Sequence, residues 1–164
     1  MSNVIIGIGN TILSDDRIGI YIAEKLKKEL KCFDVQTTSS SGLNLIDYIL
    51  GYRRAIFIDS VKTEDGRPGQ TSVYNVGDFE NITPFSIHTT DLINAIRMCR
   101  GYGLDVPEQI FFIGIEVKDN STFTEHFSRE INSMKDNIHN SVKDKIRNIM
   151  KGHYDEPKRH HGKN

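Results

Sequence analysis

Val4-Ile5-Ile6-Gly7-Ile8-Gly9-Asn10, followed by Ser14-Asp15-Asp16-Arg17-Ile18-Gly19, is the stretch on which the fold turns. The continuous apolar run from Val4 to Ile8 reads as a strand buried on both faces. A glycine turn follows it, and two adjacent carboxylates stand where the next helix should begin. Open α/β sheets bind ligands in the crevice outside the carboxyl ends of their strands, so charged groups at that edge point toward a site. Two later stretches deliver chemistry to the same edge. Arg54-Ala55-Ile56-Phe57-Ile58 runs into Asp59, and the Ser86-Ile87-His88 turn supplies an imidazole.

Working outward, strands and helices alternate. Asp16 to Lys31 reads as a helix with Ile18, Ile22 and Leu26 on one stripe, capped by Ser14. Phe33 to Thr38 is a second strand, and the polar Ser39-Ser40-Ser41-Gly42 turn leads to a short helix. Ala55 to Ile58 is another buried strand. Asp65-Gly66 and Pro68-Gly69 mark turns before an expected edge strand from Thr71 to Val76. Thr89 to Arg100 has helical spacing, Gln109 to Val117 is a last apolar strand, and a long C-terminal helix carries Phe123, Phe127, Ile131, Met134, Ile138, Val142, Ile146 and Ile149 along a packing face. Alternating units of this kind predict an α/β three-layer sandwich around a mostly parallel sheet. Residues 1–151 are expected to form a single domain, with 152–164 as a disordered tail.

Composition narrows the function. With 164 residues the chain suits one domain with a core. Its 21 Lys and Arg against 22 Asp and Glu give no electrostatic pull toward nucleic acid or an anionic membrane. No apolar run approaches the roughly 18–20 residues that span a bilayer. Met1 leads into a strand without the basic and apolar regions of a secretory signal, so a cytoplasmic protein is expected. Cys32 and Cys99 lack metal-ligand spacing and read as inert thiols.

Each motif has more than one reading. Gly7-Ile8-Gly9-Asn10-Thr11-Ile12 lacks the third glycine of a dinucleotide fingerprint, and the second strand ends in Thr37-Thr38 rather than an acidic residue. These glycines then serve a tight turn. Asp15 and Asp16 suit a helix's first turn, where acidic groups stabilise by about 0.3–1 kcal/mol. Asp59 with Ser60 could be a hydrogen-bonded turn, and His88 an ordinary polar residue. A carboxylate at the end of a buried strand nevertheless demands compensation. Carboxylates and a neutral imidazole, brought together, suit a first-row divalent ion such as nickel or zinc. Three protein ligands would leave positions open for water or substrate. His153, His160 and His161 lie in the tail and are not taken as ligands.

Taken in order, GxGN, then Ser-Asp-Asp-x-Ile-Gly, then an apolar strand reaching Asp59, then Pro68-Gly69, then Ser86-x-His88-x-x-x-Leu92, this chain resembles the hydrogenase maturation endopeptidases. That family trims the C-terminus of nickel–iron hydrogenase large subunits, and the match spans about residues 4 to 117. The resemblance implies a twisted sheet of about five strands between helices. It implies a metal site, also catalytic, at Asp16, Asp59 and His88. The nickel would belong to the substrate: the enzyme reads it in the precursor of a large subunit before removing a short C-terminal extension. No organic cofactor, nucleic acid or membrane is implied.

Two departures from the family pattern stand out. Arg17 replaces a glycine after the acidic pair, where its bulk and charge would alter access. Thr37-Thr38-Ser39-Ser40-Ser41-Gly42 keeps only the last glycine of a glycine-rich stretch associated with substrate recognition, which leaves Gly42 as the substrate-binding candidate. Two other readings are kept: a non-catalytic nickel-binding or metallochaperone-like module, and a small-molecule domain of the nucleotide type.

Overall fold

The computed structural model describes residues 2–76 and 87–154, with the backbone alone for 87–89. Five strands form one sheet: β1 (Asn3–Ile8), β2 (Asp34–Thr38), β3 (Arg54–Val61), β4 (Thr71–Asn75) and β5 (Gln109–Glu116). Their order across the sheet is β2-β1-β3-β5-β4. β1 pairs in parallel with β2 and β3, and β3 with β5, while β4 runs antiparallel on the edge. The expected mostly parallel sandwich is what the chain builds. From β1 the chain first adds β2 on one side and then β3 on the other. The carboxyl ends of β1 and β3 therefore flank the point where strand order reverses, which is where such sheets open a crevice.

Three helices, α1 (Ile18–Glu29), α2 (Ile87–Gly101) and α3 (Arg129–Met150), together with 3-10 segments at Ser14–Arg17 and Gly42–Tyr48, cover the sheet. Ile5, Ile56, Ile58, Phe111 and Ile113 pack under α1 and α3. The alternate residues Ile6, Phe57 and Phe112 pack under α2 and the Gly42–Tyr48 segment. Strands covered on both faces have no polar side, which is why β1, β3 and β5 read as unbroken apolar runs.

The glycines of the opening motif do different work from the turn expected of them. Gly7 lies inside β1, and a Cβ there would stand 2.5 Å from the Ala23 Cβ and 2.5 Å from the Gly19 carbonyl oxygen. A Cβ on Gly19 would meet the carbonyl oxygens of Ile8 at 2.3 Å and Ile58 at 2.4 Å. The pair lets the start of α1 lie directly on β1 and β3. Only Gly9 fits the turn, since a Cβ on it would fall 2.2 Å from the Asp16 carbonyl oxygen. Pro68-Gly69 is a turn as expected: Gly69 has φ +86°, and the Gln70 N–H donates to the Arg67 carbonyl at 2.9 Å.

Several boundaries differ from expectation. β3 continues two residues past Asp59, so that aspartate lies within the strand rather than ending it. α1 starts at Ile18 with Arg17 rather than Ser14 at its N-cap, and Ser14 is buried in a 3-10 turn. The last helix starts at Arg129, so Phe123 and Phe127 precede it, and Phe123 is 81% exposed rather than part of a packing face. The Asp119 carboxylate explains this delay. It accepts the backbone N–H groups of Ser121 and Thr122, which commits that stretch to a turn before Ser128 caps the helix through the Ile131 N–H. Packing also continues past residue 151, because the Tyr154 ring meets Phe111 edge-on at 5.0 Å and its hydroxyl accepts from Asn75. Residues 155–164 lie outside those described.

Gly19→Ala should lower unfolding stability by about 2–3 kcal/mol, the cost of forcing volume into a closed contact. Urea unfolding measures it, and an unchanged midpoint would contradict the close approach of α1 to the sheet.

Candidate active site

The 3-10 turn Ser14–Arg17 decides which of the two adjacent aspartates faces the crevice. With three residues per turn, neighbouring side chains diverge by a third of a circle. Asp15 is fully buried and turns toward the segment before α3. Its carboxylate accepts the Ser128 N–H at 2.7 Å and the Asp119 N–H at 3.1 Å, while its own N–H donates to the Asp119 carbonyl at 2.8 Å. Asp15 is thus a clamp holding a distant loop, which corrects its reading as a partner of the helix dipole.

Asp16 turns the other way. One carboxylate oxygen accepts the Asn10 N–H at 2.9 Å, and the other accepts the Ser60 hydroxyl at 2.6 Å. The Ser60 N–H in turn donates to Asp59 Oδ1 at 2.8 Å. Ser60 therefore touches both carboxylates, joining the turn after β1 to the carboxyl end of β3. Its hydroxyl lies on the α1 face and the Asp59 side chain on the α2 face, as the alternation of a strand requires.

Asp59 is 1% exposed, and its Oδ2 has no hydrogen-bond partner among the described residues. Burial, then the negative charge of Asp16, push its carboxyl well above the usual carboxylate range; the Ser60 N–H opposes them without prevailing. A buried oxygen left without a donor, beside a second carboxylate, is chemistry that a cation satisfies and a neutral environment does not. The donor set fits a hard or borderline divalent ion held by oxygen ligands.

The structure thus brings Asp16 and Asp59 together. The His88 side chain lies outside those described, although its backbone is in the first turn of α2. Among the described residues no group of three or more His, Cys, Asp or Glu forms a metal cluster. His153 is exposed, and Cys32 and Cys99 are free thiols. Ser60 and Asp15 were missed as functional residues by reading the sequence. The Asp59-Ser60 pair was visible as a turn signal, but nothing in the order of residues reveals that Asp15 bonds to Asp119 and Ser128.

The two family departures have local explanations. The Arg17 guanidinium donates to the Glu125 carbonyl and lies 5.3 Å from the Phe127 ring centroid. That holds its bulk against the loop before α3. Gly42 adopts φ +58°, a conformation glycine takes without strain, and a Cβ on it would sit 3.5 Å from the Asp91 Cβ of α2. That distance is ordinary contact, so the backbone conformation rather than close packing favours glycine there.

Comparisons with known proteins agree with this fold. A family model described as hydrogenase maturation protease, HycI, matches residues 20–147. No curated protein matches the chain. Among solved structures, the E. coli hydrogenase maturating endopeptidase HybD superposes with a TM-score of 0.72 at 18% identity, covering 96% of this chain and 98% of that one. The [NiFe] hydrogenase maturation protease HybD from Thermococcus kodakarensis gives 0.66 at 19% identity, covering 88% and 98%. The endopeptidase HycI from Escherichia coli gives 0.61 at 20%, covering 88% and 90%. At these identities the structures establish the shared fold. The family match over most of the domain settles the class: the chain belongs to the hydrogenase maturation proteases. It is accordingly a peptide-bond hydrolase, an endopeptidase of hydrogenase maturation. No helix among the described residues is long and apolar enough to cross a membrane.

Two variants test the site's construction. Asp15→Ala leaves two part-buried N–H groups without this acceptor and should cost about 2 kcal/mol of stability, read by chemical unfolding. Asp59→Asn should stabilise the metal-free protein above acidic pH. The raised carboxyl makes its favourable contribution below the ordinary carboxylate pKa, and that contribution is lost as pH rises through the higher folded value. The wild type should therefore lose stability over that window and the variant should not; parallel unfolding curves against pH would contradict this.

Proposed function

We propose that this protein removes a short C-terminal extension from the nickel-loaded precursor of a nickel–iron hydrogenase large subunit, in the cytoplasm, with Asp16, Asp59 and His88 receiving the nickel that the substrate carries. The observation that supports this reading is the pair of carboxylates at the strand-order reversal, one oriented by two donors and the other buried with an oxygen that no described residue bonds.

The pair suits recognition of a cation. Before substrate arrives, burial and the Asp16 charge favour the protonated form of Asp59, which would limit the repulsion between the two carboxyl groups. A divalent ion replaces that proton, which leaves for solvent, and both carboxylates then bind as anions. Asp16 needs little rearrangement, because the Asn10 N–H and the Ser60 hydroxyl already fix its plane. A precursor without its ion leaves Asp59 neutral and offers the site no comparable attraction. The ion, when present, would supply charge stabilisation to a reacting carbonyl. Loading of the precursor thus precedes its cutting, which suits a processing step that completes maturation. Gly42, at the mouth of the neighbouring 3-10 segment, is the candidate for substrate contact.

Incubating the purified protein with precursor, with and without nickel, tests this by mass spectrometry of the product. Trimming of the loaded precursor alone is expected, with Asp59→Asn slowed about a hundredfold or more while remaining folded. Equal trimming of nickel-free precursor would overturn the recognition step. Intact loaded precursor would favour a nickel-binding module without catalysis.

A further inference from the structure

The segments around residues 12–14 and 122–124 cross each other as a short antiparallel ribbon. The Ser14 N–H donates to the Thr122 carbonyl at 3.1 Å, the Thr124 N–H donates to the Ile12 carbonyl at 3.0 Å, and Leu13 bridges Phe123 between them. Phe123 is 81% exposed and Ile12 48% exposed, although both belong to this fixed structure. Loop tips ordinarily carry small or polar residues. A phenyl ring left in water there forgoes burial that its size would make favourable.

This ribbon is rigid for reasons outside itself. Asp15 clamps its far strand through the Asp119 and Ser128 N–H groups, and Arg17 holds the Glu125 carbonyl. Asp119 is turned inward on the N–H groups of Ser121 and Thr122 and their neighbouring hydroxyls, with its carboxyl held down at about 2 by these donors. The ribbon also belongs to the wall of the candidate site. Leu13 accepts the Asp16 N–H at 3.0 Å, and the Asn10 carbonyl accepts the Leu13 N–H at 3.1 Å, so the ribbon's first strand wraps the backbone that presents the Asp16 carboxylate.

We propose that Phe123, with Ile12 on the crossing strand, is a preorganised anchor that docks an apolar stretch of the precursor polypeptide beside the bond to be cut. The inference rests on the function proposed above and adds a chemical preference to it. The continuity of the ribbon with Asp16 selects the occupant: the backbone that carries these two apolar side chains is bonded to the turn that presents the carboxylate, so a polypeptide bound at the carboxylate pair lies within reach of them. Rigidity supplies the affinity: an anchor already held in place loses little freedom on binding. Few residues dominate such interfaces, and exposed aromatic anchors are prominent among them.

Steady-state trimming of nickel-loaded precursor tests it with four proteins besides the wild type. Phe123→Ser should raise KM about tenfold with kcat within about twofold, and Ile12→Ser should act in the same direction. Phe123→Leu, which keeps an apolar side chain, should stay within about threefold of wild-type KM. Tyr102→Ser, at an equally exposed ring just past the far end of α2, should change neither constant. Wild-type KM in both Phe123→Ser and Ile12→Ser, or a loss confined to kcat, overturns the anchor while leaving the protease reading intact. Failure of the wild type itself to cut loaded precursor overturns both.

Discussion

A single carboxyl group organises this molecule: Asp59, buried in the central strand, with one oxygen on the Ser60 N–H and the other without a partner among the described residues. Folding a charge into that position opposes stability, and the neighbouring Asp16 carboxylate makes the opposition stronger. The surrounding structure over-determines the arrangement. Ser60 fixes the spacing between the two carboxylates, Asn10 orients the second, and the Gly7–Gly19 contact lets α1 lie close enough to bring Asp16 to the sheet. Stability given up at a site is compensated elsewhere, here by apolar strands covered on both faces.

The same geometry links fold to function. The reversal of strand order between β1 and β3 puts Asn10, Asp16 and Asp59 at one crevice although they come from different elements. The loop before α3 then borders that crevice because Asp15, next to Asp16 in the chain, reaches into it. Adjacent aspartates on a 3-10 turn therefore serve two purposes: one ties down the loop before α3, and the other meets Asn10 and Ser60 beside Asp59. An α-helical turn at that place would have diverged the two side chains less sharply.

Much of this was legible in the residues. The buried strands announce themselves as apolar runs, the helices as spaced stripes, and Asp59 as a charge adjoining a run that has no room for one. What stayed hidden depends on partners remote in sequence. Asp15 looks like a helix-dipole residue until its bonds to Asp119 and Ser128, more than a hundred residues away, are seen. Phe123 falls on the apolar spacing of α3 and was read with it. The Asp119 turn diverts the chain there, and a local side chain-to-backbone bond of that kind leaves no periodic trace. Gly7 looked like a turn because a glycine inside a strand and one at its end are the same letter. The His88 side chain falls outside the described residues, so its part in the site stands on the family pattern alone.

The central claim is that Asp59 is kept proton-bearing by its surroundings and surrenders that proton to a divalent ion. Carbon-13 NMR titration of the Asp59 carboxyl, assigned through Asp59→Asn, reads this directly in the metal-free protein and again with nickel-loaded precursor or a diamagnetic stand-in such as cadmium. The account predicts titration well above the ordinary carboxylate range without the ion, and an ionised carboxyl across neutral pH with it. Titration at an ordinary aspartate value, or a raised value that the ion leaves unmoved, would contradict it.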